Sequence, residues 1–189
     1  MKRGAGRNQL RIIGGAWRGR RLAFPPAAGL RPTPDRVRET LFNWLAPVIE
    51  GARCLDLFAG SGALGLEAAS RGAARVVLVD RNRTVVAALR EHATRLDAPG
   101  VEVVQADAFG FLQTSPTGQF DVVFLDPPFG EGLLAPCIEA LDRGGWLAGG
   151  ALVYLEAEAA LGAPALPAGW ELLRSRSAGG VGYHLARPG

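Results

Sequence analysis

Apolar residues along this chain come in short blocks that alternate with longer stretches of helical spacing. The blocks Arg53 to Leu57, Val76 to Asp80, Val101 to Gln105, Phe120 to Asp126 and Ala151 to Leu155 are short and rich in valine, leucine and phenylalanine, and so predict strands. Between them, Leu64 to Arg71, Thr84 to Leu96, a stretch near Phe109 and Leu133 to Leu141 read as helices. Strands separated by helices predict right-handed crossovers and a parallel sheet covered on both faces. The end of the chain changes character. Trp170 to Ser175 and Val181 to Ala186 flank Ala178-Gly179-Gly180, the pattern of a closing antiparallel hairpin.

Upstream, Thr33 is a predicted N-cap with Pro34 at the first helical position, opening a helix to about Ala46. Its buried face is expected to carry Val37, Leu41, Trp44, Leu45 and Val48, leaving Arg36, Arg38 and Asn43 to face a ligand. Earlier still, Arg11 to Gly15 and Trp17 to Leu22 read as two short strands around a glycine turn. No repeat or second core is visible. The expected organisation is a ribbon over residues 1–30 and one α/β domain over 31–189.

Composition narrows the class. With 48% hydrophobic and 21% charged residues in 189, the chain is globular, which excludes disordered and fibrous proteins. No apolar run reaches the length of a membrane span, and polar residues follow Met1-Lys2-Arg3 where a signal peptide needs an apolar stretch, so a cytoplasmic protein is expected. Cys54 and Cys137 form no CxxC pair, and His92 and His184 have no ligand-spaced partner, so neither a disulfide nor a metal site is expected. Residues 1–40 hold ten basic side chains against Asp35 and Glu39, although the whole chain has a net charge of only +3. A basic arm on an acidic body suits a polyphosphate partner. Arg11, Trp17, Arg18, Arg20, Arg21, Arg36 and Arg38 are the candidate RNA contacts: arginines for phosphates, and an indole to stack on a base or to pin the ribbon to the body.

The chemistry concentrates at strand ends. The segment Asp56-Leu57-Phe58-Ala59-Gly60-Ser61-Gly62-Ala63-Leu64-Gly65 holds G-x-G-x-x-G between a strand and a helix, where a ligand can approach the backbone at a helix N-terminus. Asp80, twenty residues past Gly60 at the end of the next strand, is placed for ribose hydroxyls. Asp56 lies within the preceding strand, suited to the ammonium of an amino acid, and Asp107 ends a third strand, suited to an adenine amine. A nicotinamide dinucleotide has no ammonium group for Asp56, whereas S-adenosylmethionine has one. Each aspartate taken singly also suits a loop cap.

Asp126-Pro127-Pro128-Phe129 closes the fourth strand. Two prolines fix φ and donate no hydrogen bonds, so the corner is stiff and its carbonyls stay free as acceptors. An exocyclic amine on a nucleobase needs two acceptors. The Asp126 carboxylate and the Pro127 carbonyl can supply them while Phe129 stacks on the ring.

With these residues together, the chain resembles the class I S-adenosylmethionine-dependent methyltransferases. More narrowly it is similar to the RsmD family of 16S ribosomal RNA guanine-N2 methyltransferases. The resemblance spans nearly the whole chain. It is carried by Arg11-Ile12-Ile13-Gly14-Gly15 with Trp17-Arg18-Gly19-Arg20, by Arg31-Pro32-Thr33 with Asp35 to Asn43, by Leu55 to Ala68, and by Asp126 to Phe129. It implies a Rossmann-like seven-stranded sheet with the last strand antiparallel, plus a short N-terminal β-ribbon. It implies S-adenosylmethionine held by Asp56, Phe58, Ala59, Gly60, Ser61, Gly62, Arg81, Ala108 and Asp126, with Asp80 on the ribose and Asp107 near the adenine. Asp126, Pro127 and Phe129 are then the catalytic set, and 16S RNA, in a small-subunit particle or an assembly intermediate, is the implied partner. The implied type of enzyme modifies N2 of guanine 966. Asp80 stands where the family often has glutamate, and Phe129 where tyrosine is common. Three rivals remain open at this point: an adenine-N6 methyltransferase, a nicotinamide oxidoreductase, and a non-catalytic RNA-binding factor.

Overall fold

The computed structural model describes residues 8–26 and 33–189. An antiparallel pair, β1 (Asn8–Arg11) and β2 (Arg21–Phe24), precedes helix α1 (Asp35–Leu45). The alternating part then follows as β3 (Arg53–Asp56), α2 (Gly65–Ser70), β4 (Arg75–Asp80), α3 (Arg83–Arg95) and β5 (Val101–Gln105). It continues with α4 (Ala108–Leu112), β6 (Phe120–Leu125), α5 (Leu134–Arg143) and β7 (Leu147–Glu158), before β8 (Glu171–Ala178) and β9 (Val181–Arg187). The seven later strands form one sheet in the order β5-β4-β3-β6-β7-β9-β8. Strand β9 is antiparallel to both neighbours, while β3 to β7 pair in parallel, so the expected fold class holds.

This order reverses direction between β3 and β6. That places the open end of those two strands at the switch point where doubly wound sheets bind ligands. Leu41, Phe42, Leu45, Leu66 and Leu89 of α1, α2 and α3 cover one face of the sheet, and Leu112, Ile138 and Leu141 of α4 and α5 cover the other. Strand residues alternate between the two layers, Cys54 to one and Leu55 to the other. Both cysteines are free and buried, with the thiols pushed up to about 12 and about 11 by burial, which keeps them inert.

The arm departs from its expected outline. Its strands lie outboard of the predicted blocks, and Ile12 to Arg20 form a loop closed by its own backbone hydrogen bonds, such as Ile12 N–H to the Arg20 carbonyl at 2.9 Å, and tied to the body by others. The Ala16 N–H donates to the Ser70 carbonyl at 2.7 Å, the Trp17 N–H to Ser70 Oγ at 3.0 Å, and Ser70 Oγ to the Gly14 carbonyl at 2.6 Å. Gly15 adopts φ +74°, and a Cβ there would overlap the Ser70 carbonyl, so only glycine permits this approach. Leu10, Ile12, Leu22 and Phe24 join the α1 to α3 core layer, and the partly buried Trp17 packs against it, in the pinning role. The predicted boundary between residues 30 and 31 falls outside the described residues, as do Arg31 and Pro32.

Arg38 corrects a prediction. It is 1% exposed and does not face solvent or a ligand. Its guanidinium donates to Glu67 Oε2 at 3.4 Å, to the Arg11 carbonyl at 2.8 Å and to Asp35 Oδ1 at 2.6 Å. Thr33 corrects another: α1 has no side-chain cap, and the buried Thr33 hydroxyl is used elsewhere. Val48, expected inside, is exposed, whereas Trp44 stacks on Tyr183 with ring centroids 5.6 Å apart.

Candidate active site

Asp56 ends β3 under the glycine loop and is 1% exposed. Its Oδ2 accepts the Gly65 N–H at 3.0 Å, while its Oδ1 has no hydrogen-bond partner. Gly65 is required here because a Cβ would collide with the Leu78 side chain and crowd Asp56 Oδ2. Burial pushes the Asp56 carboxyl up to about 7 against the pull of the Gly65 and Phe58 amides, with Asp80 and Glu156 adding repulsion. A buried, unpaired carboxylate oxygen is costly unless a cation meets it.

This has a consequence for stability. Asp56 binds its proton more tightly in the folded chain than at its ordinary value of 3.8, so its contribution is full below that value and is lost as pH rises towards 7. The ligand-free protein is expected to lose on the order of 4 kcal/mol across that window from this group. Thermal unfolding followed against pH checks it: Asp56→Asn should flatten the decline, and an unchanged slope would contradict the assignment.

Asp80 shapes the loop from the neighbouring strand. Its Oδ2 accepts the Gly60 N–H at 3.0 Å and its Oδ1 the Asn82 N–H at 2.8 Å. Gly60 and Gly62 adopt φ +51° and +82°, and Ala59 donates to the Val79 carbonyl at 2.9 Å, which ties the loop to β4. Ser61 and Ala59 are buried and Phe58 is half-buried. Asp107 is exposed and caps α4 by accepting the Gly110 N–H at 2.8 Å, with Ala108 buried behind it. Arg81 is exposed, and its guanidinium lies 3.6 Å from Glu131, which joins the loop after β4 to the loop after β6.

The Asp126 corner follows β6. Parallel pairing sets Asp56 beside Phe124, and Leu125 beside Leu155 of β7, so the next residues in register, Asp126 and Glu156, stand side by side above Asp56. Asp126 is half-buried, Pro127 buried and Phe129 42% exposed. Glu156 is 3% exposed. The Thr33 hydroxyl lies between the two carboxylates, 3.2 Å from Glu156 Oε1 and 3.4 Å from Asp126 Oδ2, and the Tyr154 hydroxyl donates to Glu156 Oε1 at 2.7 Å.

Burial first, then the charges of Glu156 and Asp56, push Asp126 well above the carboxylate range. Burial raises Glu156 as well, against hydrogen bonds from Tyr154 and Thr33. Two carboxyls facing each other out of water resist ionising together, so the pair holds a proton more tightly than either carboxyl would in water. Among the described residues no cluster of histidine, cysteine and carboxylate side chains suits a metal ion, and no helix is long and apolar enough to cross a membrane.

Asp56, Asp80 and Asp126 therefore converge on one open end of the sheet, with Phe129 at its rim. The family model described as "Conserved hypothetical protein 95" matches residues 10–187. Over 181 residues the chain is 53% identical to ribosomal RNA small subunit methyltransferase D of Escherichia coli K12, covering 96% of this chain and 91% of that protein. The chain belongs to the RsmD family of methyltransferases. The Haemophilus influenzae protein of the same name is 44% identical over 184 residues, covering 95% and 94%. The solved structure of Escherichia coli yhhF superposes with a TM-score of 0.90 at 50% identity, covering 96% of this chain and 98% of that one.

Sequence reasoning missed four residues that the structure brings into play. Glu156 and Tyr154 lie two apart in an otherwise apolar strand, a spacing that puts both on one face of the sheet. Thr33 read as a helix cap, and Glu67 as part of a helix. Of the proposed RNA contacts, Arg18, Arg20, Arg21 and Arg36 are exposed, and Arg11 is exposed while paired with Asp35 at 2.7 Å.

Proposed function

We propose that this enzyme methylates the exocyclic N2 amine of a guanine in 16S ribosomal RNA, with S-adenosylmethionine as donor, acting in the cytoplasm on the small subunit or an assembly intermediate. The observation that carries this reading is the adjacency of a proline-stiffened acceptor corner at Asp126 to the orphaned Asp56 oxygen at the sheet's switch point. The donor set fits the cofactor: Asp56 Oδ1 lacks the cation an amino-acid ammonium would supply, and Asp80 and Asp107 retain lone pairs for hydroxyls and an amine. When bound, the cofactor supplies a methyl group on a positively charged sulfur.

The chain's own residues then act on the base. The Asp126 carboxyl and the Pro127 carbonyl accept the two hydrogens of the amine and fix its lone pair in line with the methyl, the orientation that an otherwise poor nucleophile needs. The same acceptors stabilise the positive charge that develops on nitrogen. Phe129, exposed at the rim, offers its ring to a flipped-out base. The name borne by the Escherichia coli and Haemophilus influenzae relatives supports a small-subunit RNA substrate.

Incubating the protein with 16S RNA and labelled donor, then mapping methylated nucleosides by mass spectrometry, tests this. N2-methylguanine at one position is expected. N6-methyladenine, or transfer to duplex DNA instead, would overturn it in favour of the adenine enzyme.

The exposed arginines of the arm give a separate expectation. Replacing Arg18, Arg20 and Arg21 by glutamine should weaken RNA binding and reduce the slope of log affinity against log salt by roughly 0.7 to 0.9 per lost phosphate contact. Binding measured at several salt concentrations reads this out, and an unchanged slope would assign the three side chains to solvent.

A further inference from the structure

Glu156 has no part in the amine-gripping corner just described, yet it is a buried acid set against Asp126 with two hydroxyls directed at it. We propose that Glu156 is a positioning residue for Asp126, holding that carboxyl in one orientation and taking up the proton that Asp126 passes on. This inference rests on the reading of Asp126 as the acceptor of a base amine. Its geometric basis is the side-by-side register of the two carboxylates and the Thr33 hydroxyl between them, 3.2 Å from one and 3.4 Å from the other. The Tyr154 hydroxyl donates to the same Glu156 Oε1 at 2.7 Å.

The step balances. The amine nitrogen forms a bond to the methyl carbon, the carbon–sulfur bond breaks, and its electron pair stays on the sulfur as a neutral thioether. The nitrogen, now carrying a positive charge, loses one proton to Asp126. Asp126 releases the proton it shares with the pair to Glu156, so the charge that left the base ends by neutralising a buried anion. Water need not enter the corner at that moment. The groups that face the pair are Asp56 from β3, Tyr154 on β7, Tyr183 opposite Glu156 on β9, and Thr33 ahead of α1. Among these described residues none is basic, so a further proton and not an ion pair answers the charge.

As pH falls, both carboxyls become protonated, Glu156 can accept nothing, and the rate declines. The singly protonated pair resists a second proton because the one it holds is shared by both carboxyls, whereas in Glu156→Gln Asp126 titrates alone and takes its proton at higher pH. The acid limb of the kcat profile should then move up by roughly one unit, with kcat at neutral pH falling about 10- to 100-fold and KM for RNA little changed.

A purely space-filling role makes the opposite demand on the variants. Glutamine matches the shape of glutamate and should outperform aspartate if Glu156 only fills a cavity. If it accepts a proton, Glu156→Asp should recover part of kcat that Glu156→Gln does not. An unmoved acid limb, or glutamine outperforming aspartate, would overturn the proposal.

Infrared difference spectra supply a readout independent of turnover. In an Asp56→Asn background, which removes the other carboxyl that titrates near neutrality, a protonated carboxyl present at neutral pH should disappear on adding Glu156→Gln or Asp126→Asn, and its persistence in both would also overturn the proposal. Should Glu156→Gln not fold, the same background with and without Asp126→Asn decides in the same way. Nucleoside analysis of the product RNA tests the guanine reading separately, because the acid limb reports the carboxyl pair whichever base amine is methylated.

Discussion

Asp126→Ala is expected to lower kcat by about 10³-fold while leaving the affinity for S-adenosylhomocysteine within about threefold of wild type. The asymmetry follows from where the side chain lies. Asp126 stands beyond β6, above Asp56 and beside Glu156, whereas the groups fitted to the cofactor's ends are Asp56 and the Asp80-anchored loop. Removing a carboxylate from the corner therefore takes away orientation of the amine and the first acceptor of its proton, interactions that matter most in the transition state. It also removes a carboxyl whose proton affinity is raised in the folded chain by desolvation and by the charges of Glu156 and Asp56. The variant should consequently gain thermal stability at neutral pH, the opposite of the usual result for a buried substitution. Single-turnover methyl transfer, calorimetric titration with the thioether and a melting curve check the three parts. Near-normal kcat would remove Asp126 from the mechanism.

Glu67→Ala is expected to be the most destabilising single change, by about 3 to 5 kcal/mol. Glu67 has a fully buried side chain on a six-residue helix and accepts three hydrogen bonds: from the Ile13 N–H at 2.9 Å, the Arg71 guanidinium at 2.8 Å and the Arg38 guanidinium at 3.4 Å. Its loss leaves Arg38, itself 1% exposed, with only Asp35 to balance it, and frees the backbone of the arm at Ile13. A drop in melting temperature of the order of 10 °C is expected for a chain of this size. Hydrogen exchange should show protection lost first across β1 and β2. A shift under about 2 °C would mean that the network contributes little.

The same network shows why part of this protein was legible in the sequence and part was not. Strand ends announce themselves locally, since an aspartate that closes an apolar block stands out from it, and three at successive strand ends reinforce one another. Asp56, Asp80 and Asp126 were found in that way. Arg38 was misread because its charge outweighed its position: it lies three and four residues before Leu41 and Phe42, on the helix face that the core covers. A charge on an apolar stripe signals a buried partner, but that partner, Glu67, comes from a different helix, and only the folded chain brings them together. Glu156 was hidden for a related reason. It is an acid in an apolar run, and its neighbour in space is thirty residues away in the chain, fixed by the register of β6 on β7. The strands of the arm were misplaced because its long turn is held both by its own backbone, through the Ile12–Arg20 and Gly19–Ile12 hydrogen bonds, and by Ser70 of a distant helix that no local pattern reveals.

Helix α2 has one end under the glycine loop and the other bonded to the arm through Ser70. An engineer wishing to transplant the arm onto a different catalytic scaffold cannot lift it as a detachable module. The graft must carry the arginine that crosses from α1, the carboxylate that receives it, and a glycine at position 15, or the transplanted segment will have no seat.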